Sequence, residues 1–213
     1  MIGALLLAAA APTAVDAERA FAAHAQKVGQ WTAFRDYAEP TAVMFDPQAV
    51  WAHEFLKGRK DPPKSVQWWP AQSYVSCDGR TAVNTGPWLI RDRKLHGQFT
   101  TVWLRQTDGG WKWTYDAGEP LAKPLPQPRR AEVRRASCAN RRAIPAAYVA
   151  AARPTEQMAG ASPGDAGQGR SADGTLIWSW KVAPDGTRQF ETKLWNGRAY
   201  RAVISQQVAA PKP

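Results

Sequence analysis

Hydrophobic and polar positions change period along this chain. Over residues 15–28 Ala17, Phe21, Ala25 and Val28 recur at helical spacing, with Glu18, Arg19 and Lys27 turned outward. Asp16 fits an N-cap and Gly29 a stop. A second helix over 30–38 places Trp31, Phe34 and Tyr37 on one face. The short strand TAVMFD lies between Pro40 and Pro47, and 48–56 reads as helical again up to Gly58. Over 66–118 the period falls to two, giving four strands: VQWWPAQSYVSC, RTAVNTGPWLI, GQFTTVWLRQT and WKWTYDAG. Phe99, Thr101 and Trp103 share a face on one strand; Trp111, Trp113 and Tyr115 share one on the next. Asp108-Gly109 marks the hairpin between them, so the two aromatic rows should face each other. This order predicts an α+β fold in which a curved antiparallel sheet wraps the N-terminal helix as a cone.

Beyond the sheet, 119–130 (EPLAKPLPQPRR) is a Pro-rich extended joint. Residues 131–152, rich in Ala and Arg, predict one or two short helices broken at Pro145. On a continuous helix Arg134 would share a face with Arg141, and Arg135 with Arg142. Residues 154–173 are rich in Gly, Ser and Ala and read as a loose loop. TLIWSWKVA, TRQFETKLW and RAYRAVISQ then form a C-terminal three-stranded β meander, with turns at Asp185-Gly186 and Asn196-Gly197. The expected division is 1–14, a signal peptide; 15–121, the cone; 122–173, joint and loop; and 174–208, the meander.

The opening MIGALLLAAAAPTA is too short to span a bilayer and ends in small residues, as a secretory signal peptide does. Cleavage is expected near Ala14 or Ala17, leaving no transmembrane segment in a periplasmic or secreted mature chain. In that compartment Cys77 and Cys138, the two cysteines, are expected to pair; two unpaired buried thiols are the alternative. The net charge is +10, and Arg129, Arg130, Arg134, Arg135, Arg141 and Arg142 fall in one window. That charge favours anionic partners, yet no nucleic-acid-binding module accompanies it, so no nucleic acid is expected.

The order of elements, with particular residues, resembles the nuclear-transport-factor-2-like superfamily, the cystatin-like cone shared with ketosteroid isomerases and polyketide-cyclase-like proteins. The matching residues are Ala17-Glu18-Arg19-Ala20-Phe21, Ala33-Phe34, Val43-Met44-Phe45, Trp68-Trp69-Pro70 and Val75-Ser76-Cys77-Asp78-Gly79. They continue through Asn84-Thr85-Gly86, Thr101-Val102-Trp103, Asp108-Gly109-Gly110-Trp111-Lys112 and Asp116-Ala117-Gly118. The resemblance spans about residues 15–121 and is closest to uncharacterised, often exported, bacterial proteins. It implies a cone-shaped scaffold that hosts enzymes, ligand binders and dimers alike, so fold alone does not settle function. No catalytic motif of its enzymes maps onto these positions.

Several residues are candidates for chemistry. Asp116, or Tyr115, would suit acid–base work if it pointed into an apolar cone, although strict alternation turns Asp116 away from Trp113 and Tyr115 unless a bulge intervenes. Phe21, Trp68, Trp88, Trp103 and Trp113 could line a pocket for a small apolar ligand or simply fill the core. Arg134, Arg135, Arg141 and Arg142 are anion-binding candidates. His24, His53 and His96 lack paired metal spacing, so no metal or cofactor is expected. Ser73, Ser76 and Thr85 lack the turn of a hydrolase nucleophile. The leading expectation is a non-catalytic ligand-binding or scaffold protein of the bacterial envelope. The alternatives are an isomerase-, cyclase- or dehydratase-type enzyme and an anion-binding module, with a homodimer expected from the resemblance.

Overall fold

Thr13 and Asp16 start the first helix together. In the computed structural model, which describes residues 11–145 and 162–210, the Asp16 backbone N–H donates to the Thr13 hydroxyl and the Thr13 N–H donates to the Asp16 carboxylate. This capping box makes Thr13 the N-cap and Asp16 the third helical residue, correcting the expectation from the sequence. The signal-peptide reading of 1–14 lies mostly outside the described residues.

Helix α1 (Ala14–Val28) ends at Gly29, whose φ of 110° only glycine holds without strain. Helix α2 (Gln30–Tyr37) follows and runs into β1 (Ala38–Asp46). The segment expected as a third helix is half strand: β2 (Gln48–Trp51) folds back antiparallel on β1 around Pro47, and only Ala52–Leu56 is helical, α3. Pro70 splits the next expected strand into β3 (Gln67–Trp68) and β4 (Gln72–Val75), because proline cannot donate to a ladder. Then come β5 (Thr81–Ile90), β6 (Leu95–Arg105) and β7 (Trp111–Pro120).

The expected helices after residue 131 are not formed over the described part. Glu132–Arg135 is a strand, β8, parallel to β4, and Arg141–Ala143 a single 3-10 turn. A disulfide between Cys77, just past β4, and Cys138 fixes this stretch beside the otherwise open β4 edge. The first sheet thus has the order β2-β1-β7-β6-β5-β4-β8, with β3 also on β5. Apart from the parallel β1–β7 and β4–β8 pairs it is antiparallel.

The second sheet has one strand more than the expected meander. Ala166–Arg170, read as loop for its glycines, is β9; it joins β10 (Leu176–Val182), β11 (Arg188–Trp195) and β12 (Tyr200–Val208). The glycines have a packing reason. A Cβ on Gly167 would lie 2.5 Å from the Trp180 indole, and one on Gly169 2.3 Å from that of Trp178.

Two cores result, one on each face of the first sheet. Phe21, Trp68, Phe99, Trp103 and Trp113 pack under the helices. Tyr74, Val83, Val102 and Tyr115 pack against Trp178, Trp180, Phe190 and Leu194 of the second sheet. The outer face of the first sheet is therefore covered by the chain's own second sheet.

One irregularity positions the site. Val102 pairs with Tyr115 but Trp103 pairs with Trp113, so Thr114 is an extra residue in β7. This bulge puts Trp113 and Asp116 on the helix side and Tyr115 on the other. The Trp103–Trp113 contact is as expected; the single Trp111, Trp113, Tyr115 row is not.

Candidate functional site

Glu18, read from the sequence as turned outward, is fully buried on the inner face of α1. It follows Ala14 by four residues and precedes Phe21 by three, so helical spacing places all three on one face. The Trp103 indole N–H donates to its Oε2 at 2.6 Å, the Trp68 indole N–H to its Oε1 at 2.8 Å, and the Asn84 amide to Oε2 at 3.2 Å. Asn84 also donates to the Ala14 carbonyl at 2.9 Å, tying β5 to the start of α1. Burial pushes the Glu18 carboxyl up to about 7, against the Trp103 bond and, with repulsion from Asp116 adding to the rise, against the weaker Trp68 and Asn84 bonds.

Asp116, turned inward by the bulge, is bonded by the Thr101 hydroxyl at 2.7 Å. Burial raises it to about 7 as well, opposed by that bond and by the positive charge of Arg188. Its residue surface is partly accessible, because it lines a cavity of ≈210 Å³. The remaining wall is mostly apolar: Trp31, Phe34, Met44, Trp68, Trp88 and Phe99 among others. Among the described residues Asp116 is the one ionisable side chain lining it.

The other predicted residues are distributed by the two-sided packing. Trp68 and Trp88 line the cavity. Phe21, Trp103 and Trp113 have no exposed surface and fill the core behind it, Phe21 meeting Trp68 edge-on at 4.8 Å. Tyr115 lies outside the cone, stacked 4.6 Å from Phe190, with its pKa raised by burial. The bulge removes it as a pocket acid. The arginines share no face: on β8 Arg134 bridges to Glu132 at 2.8 Å, while Arg135 donates to the Cys77 carbonyl at 3.1 Å. Arg141 and Arg142 stand exposed in the 3-10 turn. A strand alternates its side chains, so the pairings expected on a helix are not made.

His24 is held by Asp36 at 2.9 Å. Among the described residues no group of three or more His, Cys, Asp or Glu could hold a metal ion, and no helix is long and apolar enough to cross a membrane. Ser76 and Thr85 are engaged locally, with Asp78 and the Phe99 carbonyl. Glu18 escaped the sequence reading because a charged residue was assigned to the polar face by type; its helical position carried the signal.

Fold and site together define an α+β cone with two buried carboxyls and a small apolar cavity. Solved structures similar to it are nuclear-transport-factor-2-like, ketosteroid-isomerase-like and cystatin-like-fold proteins. A ketosteroid isomerase candidate from Parabacteroides distasonis is 17% identical with a TM-score of 0.41, covering 51% of this chain and 88% of its own. The CaMKII hub of S. rosetta is 18% identical at 0.40, covering 55% and 100%. A nuclear-transport-factor-2-like superfamily protein from Salmonella enterica is 18% identical at 0.39, covering 52% and 89%. No family model matches the chain, and no curated protein matches it.

Proposed function

We propose that the chain is an exported bacterial envelope protein whose cone binds a small, mainly apolar ligand carrying one polar group. The observation that supports this is the ≈210 Å³ apolar cavity with the Asp116 carboxyl in its wall. At about 20–30 Å³ per non-hydrogen atom, that volume admits roughly seven to ten such atoms. Trp68 and Trp88 supply flat walls, and Asp116 fixes orientation through a hydrogen bond. Titrating six-membered-ring probes such as cyclohexanol and cyclohexanone should shift the indole N–H resonance of Trp68 in NMR spectra. Ile90→Trp, which fills the cavity from its rim, should abolish the shift. Unperturbed spectra with every probe would sink the reading.

Proton-transfer catalysis of the isomerase, cyclase or dehydratase kind is a second reading, favoured by one observation. Asp116 reaches the cavity with its pKa raised to about 7, which suits a general acid or base. Conversion of cyclohex-3-enone to its conjugated isomer, lost in Asp116→Asn, is the test; wild-type rates equal to buffer would reject it.

Export is supported by the apolar leader and by the disulfide, a bond that persists in oxidising compartments. Processing is expected before Pro12, ahead of the sites near Ala14 or Ala17 that the sequence suggested. The Trp111 indole donates to the Pro12 carbonyl at 2.9 Å and Thr13 caps α1, so a later cut would remove parts of the fold. N-terminal sequencing of protein recovered from the periplasm or medium decides this; a mature chain starting beyond Pro12 would contradict it.

A further inference from the structure

A second pocket adjoins the cavity of the cone. It holds ≈420 Å³ and lies between the end of α1, the 61–66 loop and the turn that follows β5. Its wall continues that of the apolar cavity. Ile90 lines both, and at two further points chain neighbours divide between them: Gly29 and Ser65 line the outer pocket, Gln30 and Val66 the cavity.

The 61–66 loop is pinned to the helices at each end. The Asp61 carboxylate accepts from the Thr32 N–H at 3.0 Å and from the Thr32 hydroxyl at 2.6 Å, at the start of α2. The Ser65 hydroxyl donates to the Ala25 carbonyl at 2.6 Å, and the Val66 N–H donates to the Gln30 side chain at 3.1 Å. Between these anchors Pro62 and Pro63 fix two φ angles. The pocket is therefore preformed, and little ordering is lost when a ligand enters it.

Its charge is mainly positive, and the cations come from three separate elements. Lys27 belongs to α1, Lys64 to the loop and Arg91 to the 3-10 turn Arg91–Arg93. Among the described residues Asp92 is the one acid lining the pocket, and Lys64 bridges it at 2.6 Å. Asp61, beside the pocket, is turned toward Thr32, to whose hydroxyl Arg35 also donates. Lys27 and Arg91 are left outside any salt bridge among the described residues. The Arg91 Nε–H donates to the Gln67 side chain at 3.0 Å, which orients the guanidinium and leaves its terminal NH2 groups for a ligand. That planar fork matches the two oxygens of a carboxylate.

The inner cavity has the opposite preference. Its walls are mostly apolar and do not solvate an ion, and Asp116 supplies no counter-charge for an anion in either protonation state. A ligand with an anionic group at one end would seat with that group outward.

We propose that the cone cavity and the outer pocket form one site for an amphipathic carboxylate, with the apolar body in the cavity and the carboxylate held by Arg91 and Lys27. This carboxylate is a second polar group, at the end of the ligand away from Asp116. The cavity half rests on the reading above; the anion half stands without it. Arg91 grips the two oxygens and Lys27 adds charge. Both side chains are exposed, so the contact weakens as salt rises.

NMR titration of the mature chain near neutral pH tests both halves, with the Trp68 indole N–H reporting on the cavity and the Arg91 Nε–H on the outer pocket. The probes are 4-hydroxycyclohexanecarboxylate and 3-(4-hydroxycyclohexyl)propanoate, each compared with the alcohol in which CH2OH replaces the carboxylate. At low salt at least one acid should move both reporters and bind about five- to twentyfold tighter than its alcohol, a gap that closes in about 0.5 M salt. Arg91→Gln together with Lys27→Gln, at exposed positions, should bring the acids down to the affinity of the alcohols. Equal binding of acids and alcohols, or a preference that survives in the double variant, overturns the proposal. If the acids move Arg91 in a salt-dependent way while no probe moves Trp68, the cavity reading fails and the anion site stands. If no probe moves either reporter, both fail.

Discussion

Glu18 has no exposed surface and its carboxyl accepts three hydrogen bonds from β3, β5 and β6. Its removal would strand those donors. Glu18→Ala leaves two indole N–H groups without an acceptor, each costing about 1–3 kcal/mol, so a loss of about 3–5 kcal/mol is expected in urea denaturation. Wild-type stability in Glu18→Ala would show that the carboxyl is not integral to the core. The pair also sets a pH dependence. Both carboxyls are raised by burial, from 3.8 for Asp116 and 4.5 for Glu18 to about 7. The folded chain therefore binds protons that the unfolded chain releases. That contribution is fully present below about pH 4 and is lost as pH rises to about 7, by at most about 1.4 kcal/mol per pH unit for each carboxyl. Asp116→Asn should flatten this slope in denaturation midpoints measured across the range. A slope of the same size in the variant would assign the proton elsewhere. At this scale the sequence marked Asp116 as a candidate and named the bulge that would turn it inward, but nothing local placed the bulge. Glu18 was legible by spacing and hidden by its charge.

Among the elements, composition misled where tertiary contacts override local preference. Residues 166–170 look like linker, yet they form β9 because only glycine fits beside the Trp178 and Trp180 rings. Gly169→Ala is accordingly expected to destabilise the protein by about 1–3 kcal/mol through overpacking, seen as a lower denaturant midpoint. Replacement without loss would mean that the strand has room. The stretch over 132–135 has the residues of a solvated helix but lies on an open edge next to a covalent anchor, and strand pairing prevails. Strand β7 makes the same point in reverse. Its alternation was clear, and one inserted residue, Thr114, divided its aromatic row between two cores. Alternation names the two faces of a strand; it does not count the residues between them.

For the molecule as a whole, the first sheet is a middle layer with helices on one face and the second sheet on the other. The Cys77–Cys138 bond closes a loop with a sequence separation of 61 across the β4–β8 edge. In the chain-entropy account that contributes about 4 kcal/mol. Cys77→Ser with Cys138→Ser should lower stability by about that amount, and reductant should do the same to the wild type. No change on reduction would place the constraint elsewhere. The second sheet also bears on the cavity at a distance. Arg188 reaches from β11 to the Gly118 carbonyl and to the charge on Asp116. Its effect on Asp116 appears only when both sheets are in place.

By itself the sequence determined the helix under an antiparallel sheet, the hairpin turns, the cysteine pair as a candidate bond and the aromatic density of the cone. These follow from local periodicity and turn chemistry, which act over a few residues. Tertiary structure alone decided which aromatic residues line space and which fill it. It also turned Asp116 inward and Tyr115 outward, and it closed the second sheet with β9. Each of those outcomes depends on register between strands far apart in the chain, which no local pattern encodes.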